Sequence, residues 1–226
     1  MNSVLLVAQR EVRVLLRARS VLGAGTLVGL IIGGMPVFTA LVMGRGPGGL
    51  FLQAPVLGIF LGYLFAQQAF LREKQDGTIE TVLSSPLTLR ALWAGKVLGA
   101  GGTAALIALL CTGGAVIAAG LAAPIGLALT PVLAVHLIVV LPLVAAIAVG
   151  LLGLVQLLLG LRENQILNLG LVMGLIALLS IGQVAAGEAP GPATEATMVL
   201  VLAAVLAVLA RLVGRVDRER IVRTIA

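Results

Sequence analysis

Histidine occurs once in this chain of 226 residues, at His136, and cysteine once, at Cys111. Both lie inside long apolar runs. An imidazole can carry protons near neutral pH, but to do so it needs an oriented partner. The sequence sets no carboxylate inside any apolar run near His136, so a buried ring bonded to a neighbouring helix is expected. Ser180 stands in LLSIG, without the Gly-x-Ser-x-Gly turn that exposes a hydrolase nucleophile. One cysteine supplies neither a disulfide nor a metal pair. Gly95-Lys96 is the nearest approach to a phosphate-cradling loop, yet Val97 follows the lysine and Arg90 replaces the first glycine. No nucleotide site, metal site or catalytic residue is expected in this chain. The remaining charge gathers in "LREKQDGTIETVLSSPLTLRALWAGK", residues 71–96, where seven of 26 positions are charged.

That segment interrupts a chain with 60% apolar and only 11% charged residues, and a mean hydropathy of +1.18. A soluble domain of this length needs more charge to cover its surface, so lipid is the expected solvent. A helical crossing takes about 20 apolar residues. The sequence provides six: 21–43, 50–70, 97–121, 129–161, 166–186 and 196–213. The fourth is overlong and holds Pro131 and Pro142. It has no polar turn at which to cut it in two, so a kinked or tilted helix is expected. The predicted fold class is an all-α membrane protein, a single transmembrane domain over 1–226 with 71–96 as its polar loop.

With six crossings, all but one of the 15 lysines and arginines fall on one side, Arg45 being the exception. The positive-inside rule places that side, with both termini and the charged segment, in the cytoplasm. Two basic ends require an even number of crossings. No cleavable signal peptide is expected, because four arginines interrupt the first twenty residues. No charged residue is expected mid-membrane, which argues against an ion-coupled carrier with buried carboxylate relays.

Residues 1–20 read as an amphipathic interfacial helix: Leu5, Ala8, Val12 and Leu15 recur at helical spacing, with Gln9, Arg10, Arg13 and Arg17 opposite. A cytoplasmic extension of the first crossing is the alternative. The tail RLVGRVDRERIVRTIA reads as a solvated basic anchor. Gly25/Gly29/Gly33, Gly58/Gly62, Gly95/Gly99 and Gly170/Gly174 repeat every fourth residue, which allows close helix approach in a packed bundle.

Within the charged segment, Asp76-Gly77-Thr78 reads as a turn and helix start. Ile79, Val82 and Leu83 then share one face, Glu80 and Thr81 fall on others, and Ser85-Pro86 stops the helix. Thr88 is the expected cap of the third crossing, with Trp93 and Lys96 near its interfacial end. Two turns cannot stand alone, and a loop this long is usually functional. Two readings are open: the ridge docks into a groove of a soluble partner, or it packs on its own bundle. Arg162-Glu163-Asn164 is a polar turn or a minor second contact.

Glu73, Gly77-Thr78-Ile79-Glu80, Leu83, Pro86 and Gly95-Lys96 together resemble the permease subunits of ABC-2 type exporters. Almost the whole chain shares that pattern: a basic amphipathic start, six crossings, a small charged turn after the fourth and a basic tail. The resemblance implies an elbow helix at the membrane surface and a coupling helix in the charged segment. That coupling helix would dock on a separate ATPase subunit, which binds ATP and magnesium. On this reading Ile79, Val82 and Leu83 fill the ATPase groove, Glu73, Asp76 and Glu80 meet its basic residues, and Gly77 permits the bend. A second permease subunit, identical or not, completes the pathway. The localisation implied is the cytoplasmic membrane of a prokaryote, and the scarcity of intramembrane charge favours a hydrophobic or amphiphilic cargo.

Two alternatives remain at this stage. Gln75-Asp76-Gly77 with Glu80 and Pro86-Leu87 also resembles the haem-exporter permease of cytochrome c maturation, although GKVLGAGGTAALIA lacks the aromatic and histidine expected after the lysine. A non-enzymatic membrane scaffold would share the topology. A lipid-modifying enzyme would need clustered acids and histidines that the sequence does not supply.

Overall fold

The computed structural model describes residues 3–43, 48–78, 86–122, 130–186, 190–216 and 221. All regular structure among them is helical. Helix α1 spans Ser3–Arg17 and α2 Arg19–Met43, with a break at Ala18. Helix α3 runs through Gly48–Ala66, a wide π turn at Gln67–Leu71, and Arg72–Gln75. Helix α4 is built likewise from Leu89–Lys96, a π turn at Val97–Gly101, and Gly102–Ala122. Helix α5 comprises Pro131–Val135, a π turn at His136–Val140, and Leu141–Leu158. Helices α6 (Leu161–Ala186) and α7 (Pro192–Val213) complete the bundle. The six helices after α1 are long and apolar enough to cross a membrane, the architecture of a multi-pass membrane protein.

The core is formed by α3 and α5, each with 61% of its apolar window buried, against 11% for α6 and for α7. Trp93 of α4 locks onto this core: its Nε1 donates to the Gly150 carbonyl of α5 over 3.0 Å, and the ring is 2% exposed. Two glycines of α2 make close approaches, Gly25 to Phe65 of α3 and Gly33 to Thr112 of α4. Gly170 and Gly174 of α6 differ, with no atom within 4 Å of where a Cβ would stand.

Several expected boundaries shift. The second crossing continues past 70 to Gln75, and the third starts at Leu89 rather than 97, so folded helix absorbs both ends of the charged segment. Paired charges make this affordable inside a bundle, as described below. Thr88 is the cap of α4, its Oγ1 accepting from Ala91 N over 3.1 Å. In the fourth crossing Pro131 is not an interior kink but the first helical residue, after a Thr130 cap that accepts from Leu133 N. Pro142 follows a π turn, whose rearranged bonds accommodate the missing N–H. The sixth crossing begins at Pro192, four residues before 196, and so takes in Glu195.

Asp76-Gly77-Thr78 is a turn, as expected, and it closes the helix that precedes it; the helix expected to follow it lies outside the described residues. Gly77 has φ +68°, a left-handed conformation common just past a helix end, and Thr78 Oγ1 donates back to the Glu73 carbonyl over 3.3 Å. The expected ridge of Ile79, Glu80, Val82 and Leu83 lies outside the described residues.

Helix α1 presents three faces rather than two. Val7, Glu11 and Leu15 are buried against the bundle. Leu5 and Leu16 are exposed, and Arg10, Arg13 and Arg17 point away from both apolar faces. Leu5 and Leu15, expected on one apolar face, part company: Leu15 is buried in the bundle and Leu5 is 59% exposed. The inward face is centred on Glu11, because only an acid there meets the lysine described next.

Candidate functional site

Four helices converge where the charged segment leaves the bundle. Helix α1 lies directly on the Gly95/Gly99 face of α4: a Cβ on Gly95 would stand 2.5 Å from Val7 Cβ, and one on Gly99 2.7 Å from Glu11 Cβ. Only glycine permits that approach. It brings Glu11 onto Lys96, the residue next to Gly95.

Lys96 is 2% exposed. Its Nζ meets Glu11 Oε1 at 3.1 Å and Glu73 Oε1 at 2.9 Å, and it also donates to the Ala69 carbonyl. An ammonium has three protons, and these three acceptors use them all. The Ala69 carbonyl belongs to the π turn of α3, where wider spacing turns a backbone oxygen away from the helix ladder. The Phe70 ring adds a cation–π contact at 5.3 Å. Arg10 Nη2 lies 3.9 Å from Glu73 Oε1 at the solvent edge, so two carboxylates face two cations. Buried charges persist only when paired and hydrogen-bonded in this way.

Lys74, the neighbour of Glu73, performs a second service. Its Nζ donates to the carbonyls of Leu159 at 2.6 Å and Gln156 at 3.4 Å. Asn164 Nδ2 of α6 reaches the same two oxygens at 3.4 and 3.3 Å. Those carbonyls end α5 and have no partner within the helix. Glu73 and Lys74 therefore fasten the end of α3 to α1, α4 and the end of α5, where Asn164 of α6 also bonds.

Of the residues expected to face a partner, Glu73 turns its carboxylate inward. Asp76 pairs on the surface with Arg72 at 3.5 Å, both side chains exposed. Gly77 and Thr78 are exposed, while Ile79, Glu80, Val82 and Leu83 lie outside the described residues. Arg13 and Arg17 face outward on α1.

Two expectations are corrected here. The helices reach past the expected crossings and take in charges near their ends, Lys74, Lys96 and Glu195, each buried and each bonded. His136 also has a carboxylate beside it: its Nδ1 lies 2.9 Å from Glu195 Oε1, with the two side chains 0% and 3% exposed. Sequence reasoning missed Glu195 by starting the last crossing at 196, four residues too late. It missed Glu11 although the signal was present, an acid four residues from both Val7 and Leu15 in an apolar stripe. Among the described residues no group of three His, Cys, Asp or Glu side chains could hold a metal. The arrangement at Lys96 is a joint of charge-assisted bonds between helices.

No protein-family model matches the chain, and neither does any curated protein.

Proposed function

We propose that this chain is the permease subunit of an ABC-2 type exporter, moving a hydrophobic or amphiphilic cargo across the cytoplasmic membrane of a prokaryote. A separate ATPase subunit would bind Mg-ATP, and a second permease subunit would supply the other half of the pathway. Both termini and the charged segment would face the cytoplasm. The observation that carries this reading is the Lys96 joint. A push delivered to 76–88 reaches Glu73 within a turn of helix, and from Glu73 it reaches α1 and α4 through Lys96 and α5 through Lys74. Such rigid linkage suits a coupling element.

In this mechanism the ATPase grips the exposed segment around Asp76, Gly77 and Thr78 together with Ile79, Glu80, Val82 and Leu83. Glu73 serves as the inner anchor of that grip. Helix α1, with its basic face, its exposed leucines and its bundle-facing side, acts as an elbow at the membrane surface. Closure of the ATPase around nucleotide displaces the segment, and the joint passes the displacement to the helices.

The test is capture of the tagged chain from its native membrane, with mass spectrometry of what comes with it. A nucleotide-binding ATPase is expected in stoichiometric amount. Reversing the charge at Glu80, or Gly77→Pro, should release it while membrane insertion persists. Recovery of the chain without any ATPase, or unchanged capture by both variants, rejects the reading.

A further inference from the structure

The far end of the bundle, away from the N-terminus, holds a second polar contact that the mechanism above does not use. His136 opens the π turn of α5, and Glu195 lies in the first turn of α7. Beyond their mutual contact, Glu195 Oε2 is buried without a hydrogen-bond partner, and His136 Nε2 makes no bond of ordinary geometry, although the Phe51 backbone approaches the ring. The Phe51 ring of α3 packs edge-on to the imidazole, with centroids 5.0 Å apart. The helices packed around the pair are α3, α4, α5 and α7. In their far halves Cys111 of α4 is the one other titratable side chain among the described residues, and none carries Asp, Lys or Arg. Arg45 and Glu188 lie outside the described residues.

Charge counting then constrains the protons. A neutral imidazole beside a carboxylate leaves one net negative charge in an apolar interior, with one carboxylate oxygen unbonded. That state is the costly one. The N-terminus of α7 favours an anion in its first turn, but a helix dipole offsets less than the burial of an unneutralised carboxylate costs.

We propose that His136 and Glu195 form a one-proton site, holding one proton more than a neutral imidazole and a carboxylate, and that this proton latches α5 to α7. The proton rests on the ring or on the carboxyl, and in both placements the pair is neutral and Nε2 bears a hydrogen. In the uncompensated state Nδ1 carries the ring's proton and Nε2 is bare. The two cases differ at a single atom.

The latch has a consequence for opening. If α5 and α7 part and both groups meet water, each takes its ordinary state. Above pH of about 6.5 that is a neutral imidazole and a carboxylate, so parting releases one proton to solvent. Parting is then favoured tenfold per pH unit above about 6.5 and is independent of pH between about 4.3 and 6.5, where the separated histidine keeps the proton.

Because the chain has one histidine, uniform ¹⁵N-histidine labelling of the full chain in bilayers gives the signals of this imidazole alone. At pH 7.5 a directly bonded hydrogen at Nε2 is expected, and a bare Nε2 with the proton on Nδ1 overturns the proposal. Thermal unfolding in micelles gives a second readout. The unfolded-to-folded ratio of the natural chain should rise tenfold per unit between pH 6.5 and 8.5, and Glu195→Gln should remove that slope. Equal slopes in the two proteins overturn the latch. Neither measurement involves an ATPase, so the result stands apart from the transport reading.

Discussion

The two ends of the bundle each bury ionisable groups, and they solve the problem differently. At the N-terminal end Lys96 spends all three protons on Glu11, Glu73 and the Ala69 carbonyl, and Arg10 stands at the rim. At the far end His136 and Glu195 have one contact between them and two atoms without a bond of ordinary geometry. A saturated cluster resists rearrangement, because removing any member strands the rest. A single contact with spare valences can be parted at less cost. On the proposed reading, the end that would transmit force is the saturated one, and the end that would open is not.

Mutation at the two ends sharpens that contrast. The largest effect is expected for Lys96→Met, which keeps the side-chain length but strands two carboxylates. Loss of about 3–5 kcal/mol should appear as a collapse of the thermal midpoint in detergent. Should Lys96→Met and Glu195→Gln cost the same, the contrast fails. Gly99→Leu comes next. Its side chain must displace Glu11 Cβ, and overpacking by α1 is expected to cost about 1–3 kcal/mol and to raise protease cleavage within residues 3–17. Glu11→Gln keeps a hydrogen bond but removes one charge from Lys96, for an expected cost of about 1–2 kcal/mol, read from the same melting curves. Gly77→Ala forces a Cβ into a left-handed backbone at about 1 kcal/mol, with open space around it. Gly170→Ala should not destabilise at all, since nothing lies near its Cβ position and alanine is the better helix former. A measurable loss there would mean that the face is covered in the assembled protein.

The six apolar helices were legible because lipid imposes a length and a polarity that composition alone reveals. Helix caps at Thr88 and the basic face of α1 were legible too, since each depends on neighbours in sequence. The joint was not. Glu11 and Lys96 are 85 residues apart, and nothing local tells that an acid in a short amphipathic stripe will meet a lysine brought up by Gly95 and Gly99. The boundaries of α3, α4 and α7 slipped for the same reason: a charge usually marks the end of an apolar run, yet a charge with a distant partner lets the helix continue past it. A bond from His136 to a neighbouring helix follows from its apolar setting, but its partner Glu195 stands beside the polar stretch that marks the start of the last crossing in sequence.

Trp93 gives the molecule a property that follows from its position three residues before Lys96. It is the chain's single indole, sealed between α4 and α5 with its N–H on the Gly150 carbonyl. Its fluorescence therefore reports one place only, without any label. A shift of α4 against α5 would break that bond and change the polarity around the ring, so the colour and intensity of its emission would record any movement of the joint as it happened.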